Sequence, residues 1–135
     1  LETLSRAYPE NVPLRLESAT MLAQLKEYAA ARAMFEDVLR GSDRRLLDLA
    51  RYQYGEALAL EGAFGGAAEQ FGAAAQAPGA YEGLVGAALL RAGQMYDLVG
   101  QREEALRMYQ ACLPQVGDGQ RKMAERLMRE PFRLR

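Results

Sequence analysis

A chain of 135 residues with no histidine has few groups that could do chemistry. Imidazole is the commonest general base and the commonest zinc ligand, so neither role has its usual occupant. The single cysteine, Cys112, would attack a substrate only as a thiolate, and it has no imidazole to take its proton. Its neighbours Ala105, Leu106, Tyr109 and Leu113 recur at three- and four-residue steps, which assigns Cys112 to an apolar helical stripe. Glu103 and Glu104 are adjacent and leave one helix in different directions, whereas acid–base carboxylates converge on one substrate. They fit the exposed first turn of a helix, where acids complement its dipole. The run GAFGGAAEQFG at 62–72 lacks the strand before and the Lys-Ser/Thr after that a phosphate loop requires, so close helix packing is its expected use. Gly72 and Gly86 fall inside predicted helices at a cost of about 1 kcal/mol each relative to Ala, and both are expected to admit a close contact. No catalytic residue, cofactor site or metal site is predicted.

Since no group is arranged for catalysis, the elements themselves carry the information. Half the residues are apolar, enough for a sizeable core. A formal net charge of −1 leaves no basic excess for phosphate contacts, so nucleic acid is not the expected partner. No apolar run approaches the roughly 20 residues that span a bilayer. The chain starts at Leu1 without methionine and is read as a fragment or a processed product, so the compartment stays open, with the cytoplasm slightly favoured. Lys occurs only at Lys26 and Lys122 against many Arg, Ala and Gly, the usage of a GC-rich and hence bacterial genome.

Ala, Leu, Glu, Arg, Gln and Met dominate and β-branched residues are scarce, which predicts an all-α fold. Gly and Pro punctuation places seven helices near 12–26, 28–40, 44–61, 64–76, 80–99, 101–116 and 120–129. Asn11, Asp43 and Asp118 are the expected N-caps of the first, third and seventh, and Pro131 stops the last. The six methionines, Met21, Met34, Met95, Met108, Met123 and Met128, are mostly core filler by their spacing.

Three stretches repeat a pattern. A turn residue is followed five residues later by Ala, four later by an aromatic, and three later by a small or apolar residue. The sets are Lys26, Ala31, Phe35, Val38; Gly62, Ala67, Phe71, Ala74; and Gly100, Ala105, Tyr109, Cys112. Seven residues before each turn stands a small residue, Ala19, Gly55 or Gly93, and three beyond it Leu22, Leu58 or Tyr96. Small residues on paired helices let their backbones approach, and the aromatic fills the gap against the next helix.

This pattern resembles the tetratricopeptide repeat, a helix-turn-helix unit of about 34 residues. Residues 12–45, 48–81 and 86–119 look like three units, 1–11 like the tail of a preceding one, and 120–135 like a capping helix, within one domain of residues 1–135. The resemblance is degenerate. Ala31, Ala67 and Ala105 stand 36 and 38 residues apart, Arg15, Arg51 and Leu89 replace the family's bulky aromatic, and the proline closing each unit is absent. The resemblance implies a right-handed solenoid of helical hairpins that binds a peptide or protein on the concave face of its first helices. That face would carry Leu16, Thr20 and Gln24, then Tyr52, Glu56 and Leu60, then Leu90, Gln94, Asp97 and Leu98. The clamp that some members use for acidic chaperone tails would need Lys and Asn where Leu16 and Thr20 stand, and Gln53 replaces a further Asn. Only Arg91 fits, so an apolar segment with a basic residue is the expected partner. Two other roles compete with this one: a homodimer or assembly module joined through its end surfaces, and an accessory domain of a larger enzyme.

Overall fold

The computed structural model describes residues 11–41, 46–77, 79–80 and 82–134. Among the described residues there are seven α-helices and no strand: α1 (Val12–Gln24), α2 (Tyr28–Arg40), α3 (Leu47–Glu61), α4 (Phe64–Ala75), α5 (Glu82–Leu98), α6 (Arg102–Cys112) and α7 (Asp118–Arg129). The expected all-α class is observed. Residues 1–10 of the expected tail of a preceding unit at 1–11, and the expected cap Asp43, lie outside the described residues.

Local chemistry explains most boundaries. The Asn11 side chain accepts the Leu14 N–H at 3.0 Å with Pro13 in the first turn, satisfying an orphan donor where proline loses nothing. Three helix ends share one geometry. Lys26, Gly62 and Gly100 all have positive φ (65°, 91° and 78°), and the next residue's N–H reaches back to Leu22, Leu58 or Tyr96 at 2.8 to 2.9 Å. A left-handed residue is what such a closing turn demands. Lys26 adopts it despite its Cβ, where the other two turns use glycine. At the C-terminal side two details differ from expectation. Pro114 lacks the N–H that an α-helix would use there, so α6 stops at Cys112 and a 3₁₀ turn, Leu113–Gln115, follows. Gly117, not Asp118, caps α7, which starts two residues earlier than predicted with Asp118 in its first turn.

The helices pair as hairpins α1/α2, α3/α4 and α5/α6, and α2 packs on α3, α4 on α5 and α6 on α7. The first helices also touch one another, α1 against α3 and α3 against α5. Their successive contact makes one continuous face. The repeat residues occupy equivalent places. Phe35, Phe71 and Tyr109 are all fully buried, as are Ala31, Ala67 and Ala105. Phe35 stacks on Tyr54 of α3 with centroids 5.2 Å apart, and Phe71 meets the edge of Tyr52 at 5.2 Å. Beneath two of these aromatics lies the small residue seven before the turn: a Cβ on Gly55 would stand 2.9 Å from the Phe71 ring, and one on Gly93 only 2.4 Å from that of Tyr109.

Of the two glycines expected to admit a close contact, only Gly86 does. A Cβ there would meet Val116 at 2.4 Å, whereas at Gly72 it would meet nothing within 4 Å. Gly93→Ala should therefore lower the unfolding free energy by about 1–3 kcal/mol, because Tyr109 is held in place from its far end and has nowhere to move. Gly72→Ala should raise it by about 0.5–1 kcal/mol through helix propensity alone. Urea denaturation of both variants checks this, and a destabilised Gly72→Ala would refute the assignment of open space. Among the methionines, Met95 is buried and Met34, Met108 and Met128 pack partly into the core, while Met21 and Met123 are exposed.

Candidate functional site

Helices α1 and α3 diverge enough to leave a cleft of about 450 Å³ between them. Thr20, Ala23 and Gln24 line it from α1, and Leu49, Tyr52, Gln53, Glu56, Ala57 and Leu60 from α3. Its walls are largely apolar, and Glu56 is its single charged residue. Two of its oxygens, Thr20 Oγ1 and Gln53 Oε1, are buried without a hydrogen-bond partner among the described residues. A buried polar atom left unmade costs about 1–3 kcal/mol.

A second cleft of about 260 Å³ continues the first along α3. Glu56 and Leu60 belong to both, and Ala59, Phe64, Arg91, Met95, Leu98, Phe132 and Leu134 complete the second. Arg91 organises the boundary. Its Nε donates to Glu56 at 3.1 Å, its Nη1 to Gln94 at 2.9 Å, and its guanidinium lies 5.4 Å from the centre of the Phe71 ring. Three contacts, to α3, to α4 and within α5, hold this cation in place.

Six of the ten residues expected on the face therefore line the two clefts: Thr20, Gln24, Tyr52, Glu56, Leu60 and Leu98. Four do not. Leu16 is 2% exposed within the main core, and Leu90 lies in the cluster formed with α6 and α7. Gln94 is 8% exposed and engaged by Arg91. Asp97, expected as a groove acid, is the hub of a buried network, with its side chain 1% exposed. It accepts from Arg102 Nη1 at 3.0 Å through both oxygens, from the Tyr109 hydroxyl at 2.7 Å and from the Phe132 N–H at 2.9 Å. The Arg102 Nη2 group then donates to the carbonyls of Leu127 (2.7 Å) and Met128 (2.9 Å), which fastens the end of α7 to α5 and α6. Burial, and then the bond to Asp97, hold the Tyr109 hydroxyl far above the ordinary phenol range. One physical cause accounts for the inward placement of all four. The first helices are covered on two sides, so apolar and small residues surround them, and periodicity cannot say which side stays open. Ala23, Leu49 and Ala57 join the cleft for that reason, as does Gln53, which the sequence placed only at a clamp position of this face.

The remaining chemically capable groups are spoken for. Cys112 is fully buried, its thiol donates to the Gly86 carbonyl at 3.4 Å, and burial pushes its pKa up, away from thiolate. Glu104 is paired with Arg107 on the surface, and Glu103 is exposed. Among the described residues no group of three or more acids or cysteines is placed to hold a metal ion, and no helix is long and apolar enough to cross a membrane.

The class these features define is an all-helical protein of successive packed hairpins with an open cleft along its first helices. Comparison with protein-family models, with curated proteins and with solved structures found no match for the chain.

Proposed function

We propose that the chain is a non-catalytic protein-interaction module of the tetratricopeptide type, a solenoid of helical hairpins that binds a partner's peptide segment along α1, α3 and α5. The observation that carries this reading is the α1–α3 cleft, a largely apolar opening of about 450 Å³ along two successive first helices. An apolar side chain in such a cleft gains about 25 cal/mol per Å² buried. The turns at Lys26, Gly62 and Gly100 and the matching aromatic positions support the repeat assignment.

The test is a selection of displayed random peptides on the immobilised chain, with a Gln24→Arg, Leu60→Glu variant as counter-screen. Both positions are exposed, so the variant keeps its fold. Selected peptides should bear apolar residues and lose at least tenfold in affinity for the variant. Absence of enrichment, or equal affinity for both forms, rejects the cleft as a binding site.

A further inference from the structure

Charge is distributed unevenly along this chain. Residues 118–135 hold six Lys and Arg against three Asp and Glu, a balance of +3, so the −1 of the whole leaves −4 on residues 1–117. Ion pairing sharpens the difference. Before α7, Arg15, Arg32, Arg40, Arg91, Arg102 and Arg107 each lie against a carboxylate, and among the described residues only Lys26 and Arg51 do not. From α7 onward the described bases are Arg121, Lys122, Arg126, Arg129 and Arg133, all exposed, and none forms an ion pair among the described residues. Arg121 reaches only the Val116 carbonyl at 3.5 Å and Arg126 only the Met123 sulfur at 3.1 Å, both uncharged acceptors. By helical spacing Arg121, Lys122, Arg126 and Arg129 share the side of α7 opposite Ala124 and Leu127, the two residues it buries. A polar outer face is what any terminal cap needs, but that need is met by either sign. The unpaired cations go beyond it.

We infer that the outward side of α7 is a second docking surface, separate from the α1–α3 cleft, and that it takes an acidic segment of a partner protein. Guanidinium groups receive carboxylates through paired hydrogen bonds, and three of the four bases on this side are Arg. The acids that stand among them decide which anion fits. Asp118 lies in the first turn, where it complements the helix dipole, and Glu125 lies one turn from both Arg121 and Arg129. A nucleic acid or an anionic bilayer presents phosphate continuously and would meet Glu125 in the middle of the face, whereas a peptide can place carboxylates only where bases stand.

A short labelled oligoglutamate is the probe, with its binding followed by fluorescence anisotropy over a range of salt. Two variants lose the same number of charges: Lys122→Gln, Arg126→Gln, Arg129→Gln on α7, and Arg32→Gln, Arg40→Gln, Arg107→Gln on α2 and α6. All six residues are exposed, so both variants keep the fold. The α7 variant should bind on the order of tenfold more weakly than the intact chain, and the other within about twofold of it. Arg126→Lys, Arg129→Lys keeps the charge and should retain most of the affinity, which should fall as salt rises. Equal losses in the two triple variants would mean that net charge alone attracts the probe and would overturn the inference. So would no binding to the intact chain, or tighter binding of duplex DNA or of phosphatidylserine vesicles than of oligoglutamate. The Gln24→Arg, Leu60→Glu variant should bind oligoglutamate as the intact chain does, so failure of the α1–α3 cleft and failure of this surface are read separately.

Discussion

Asp97→Ala should lower the free energy of unfolding by about 3 kcal/mol. The carboxylate is almost fully buried and receives three different donors, so its removal strands the Tyr109 hydroxyl and the Phe132 N–H and leaves Arg102 facing a void. Arg102 itself is 31% exposed, so water recovers part of its hydration, which sets the loss at the low end for a broken buried pair. Asp97→Asn keeps the shape and an acceptor but not the charge, and should cost about 1–2 kcal/mol. Urea unfolding followed by circular dichroism measures both. Equal losses for Ala and Asn would mean that charge, not shape, fastens α7, and a loss below 1 kcal/mol for Ala would mean that the network does not hold the cap at all.

For Phe71→Ala the expected loss is larger, about 3–5 kcal/mol. The ring is fully buried in the middle hairpin, fills the space that Gly55 leaves open, meets the edge of Tyr52 and supports the guanidinium of Arg91. No single neighbour can collapse into that volume, since the contacts come from α3 and α5 at once. Tyr52 lines the α1–α3 cleft and Arg91 the α3–α5 cleft, so the loosened ring bed should also weaken selected peptides by several-fold in whatever fraction remains folded. Phe71→Leu retains most of the buried area and should cost less than about 1.5 kcal/mol. A Phe71→Ala loss under 1 kcal/mol would show that the middle hairpin is not packed around this ring. Unchanged peptide affinity would show that the cleft walls do not rely on it.

How much of the site was legible follows from which helix a residue sits on. The second helices α2, α4 and α6 are one-sided, with Phe35, Phe71 and Tyr109 spaced from Ala31, Ala67 and Ala105 along one stripe, so their buried faces could be read directly. The first helices are not one-sided. Thr20 and Gln24 line the cleft, but Leu16, one turn earlier on the same helix, is in the core. On α5 Leu90, Gln94 and Asp97 are turned inward and only Leu98 lines a cleft, because α5 is covered by α4, by α6 and, at Asp97, by the segment that carries Phe132.

By itself the sequence determined the all-α class, the hairpin turns and the buried ring of each hairpin. These depend on local chemistry: Gly62 and Gly100 accept left-handed φ, Asn11 caps α1, and an aromatic three to four residues from a small one must lie on its stripe. Only the tertiary structure decided that Asp97 is a fastener and not a groove acid, that Gly86 needs its missing side chain and Gly72 does not, and that Phe132 and Leu134 return to α3 and α5. Each of these depends on a contact between residues distant in the chain, such as Phe132 with Asp97, 35 positions apart. Spacing within one helix fixes relative angles along that helix, while its rotation against its neighbours is set by packing summed over all of them.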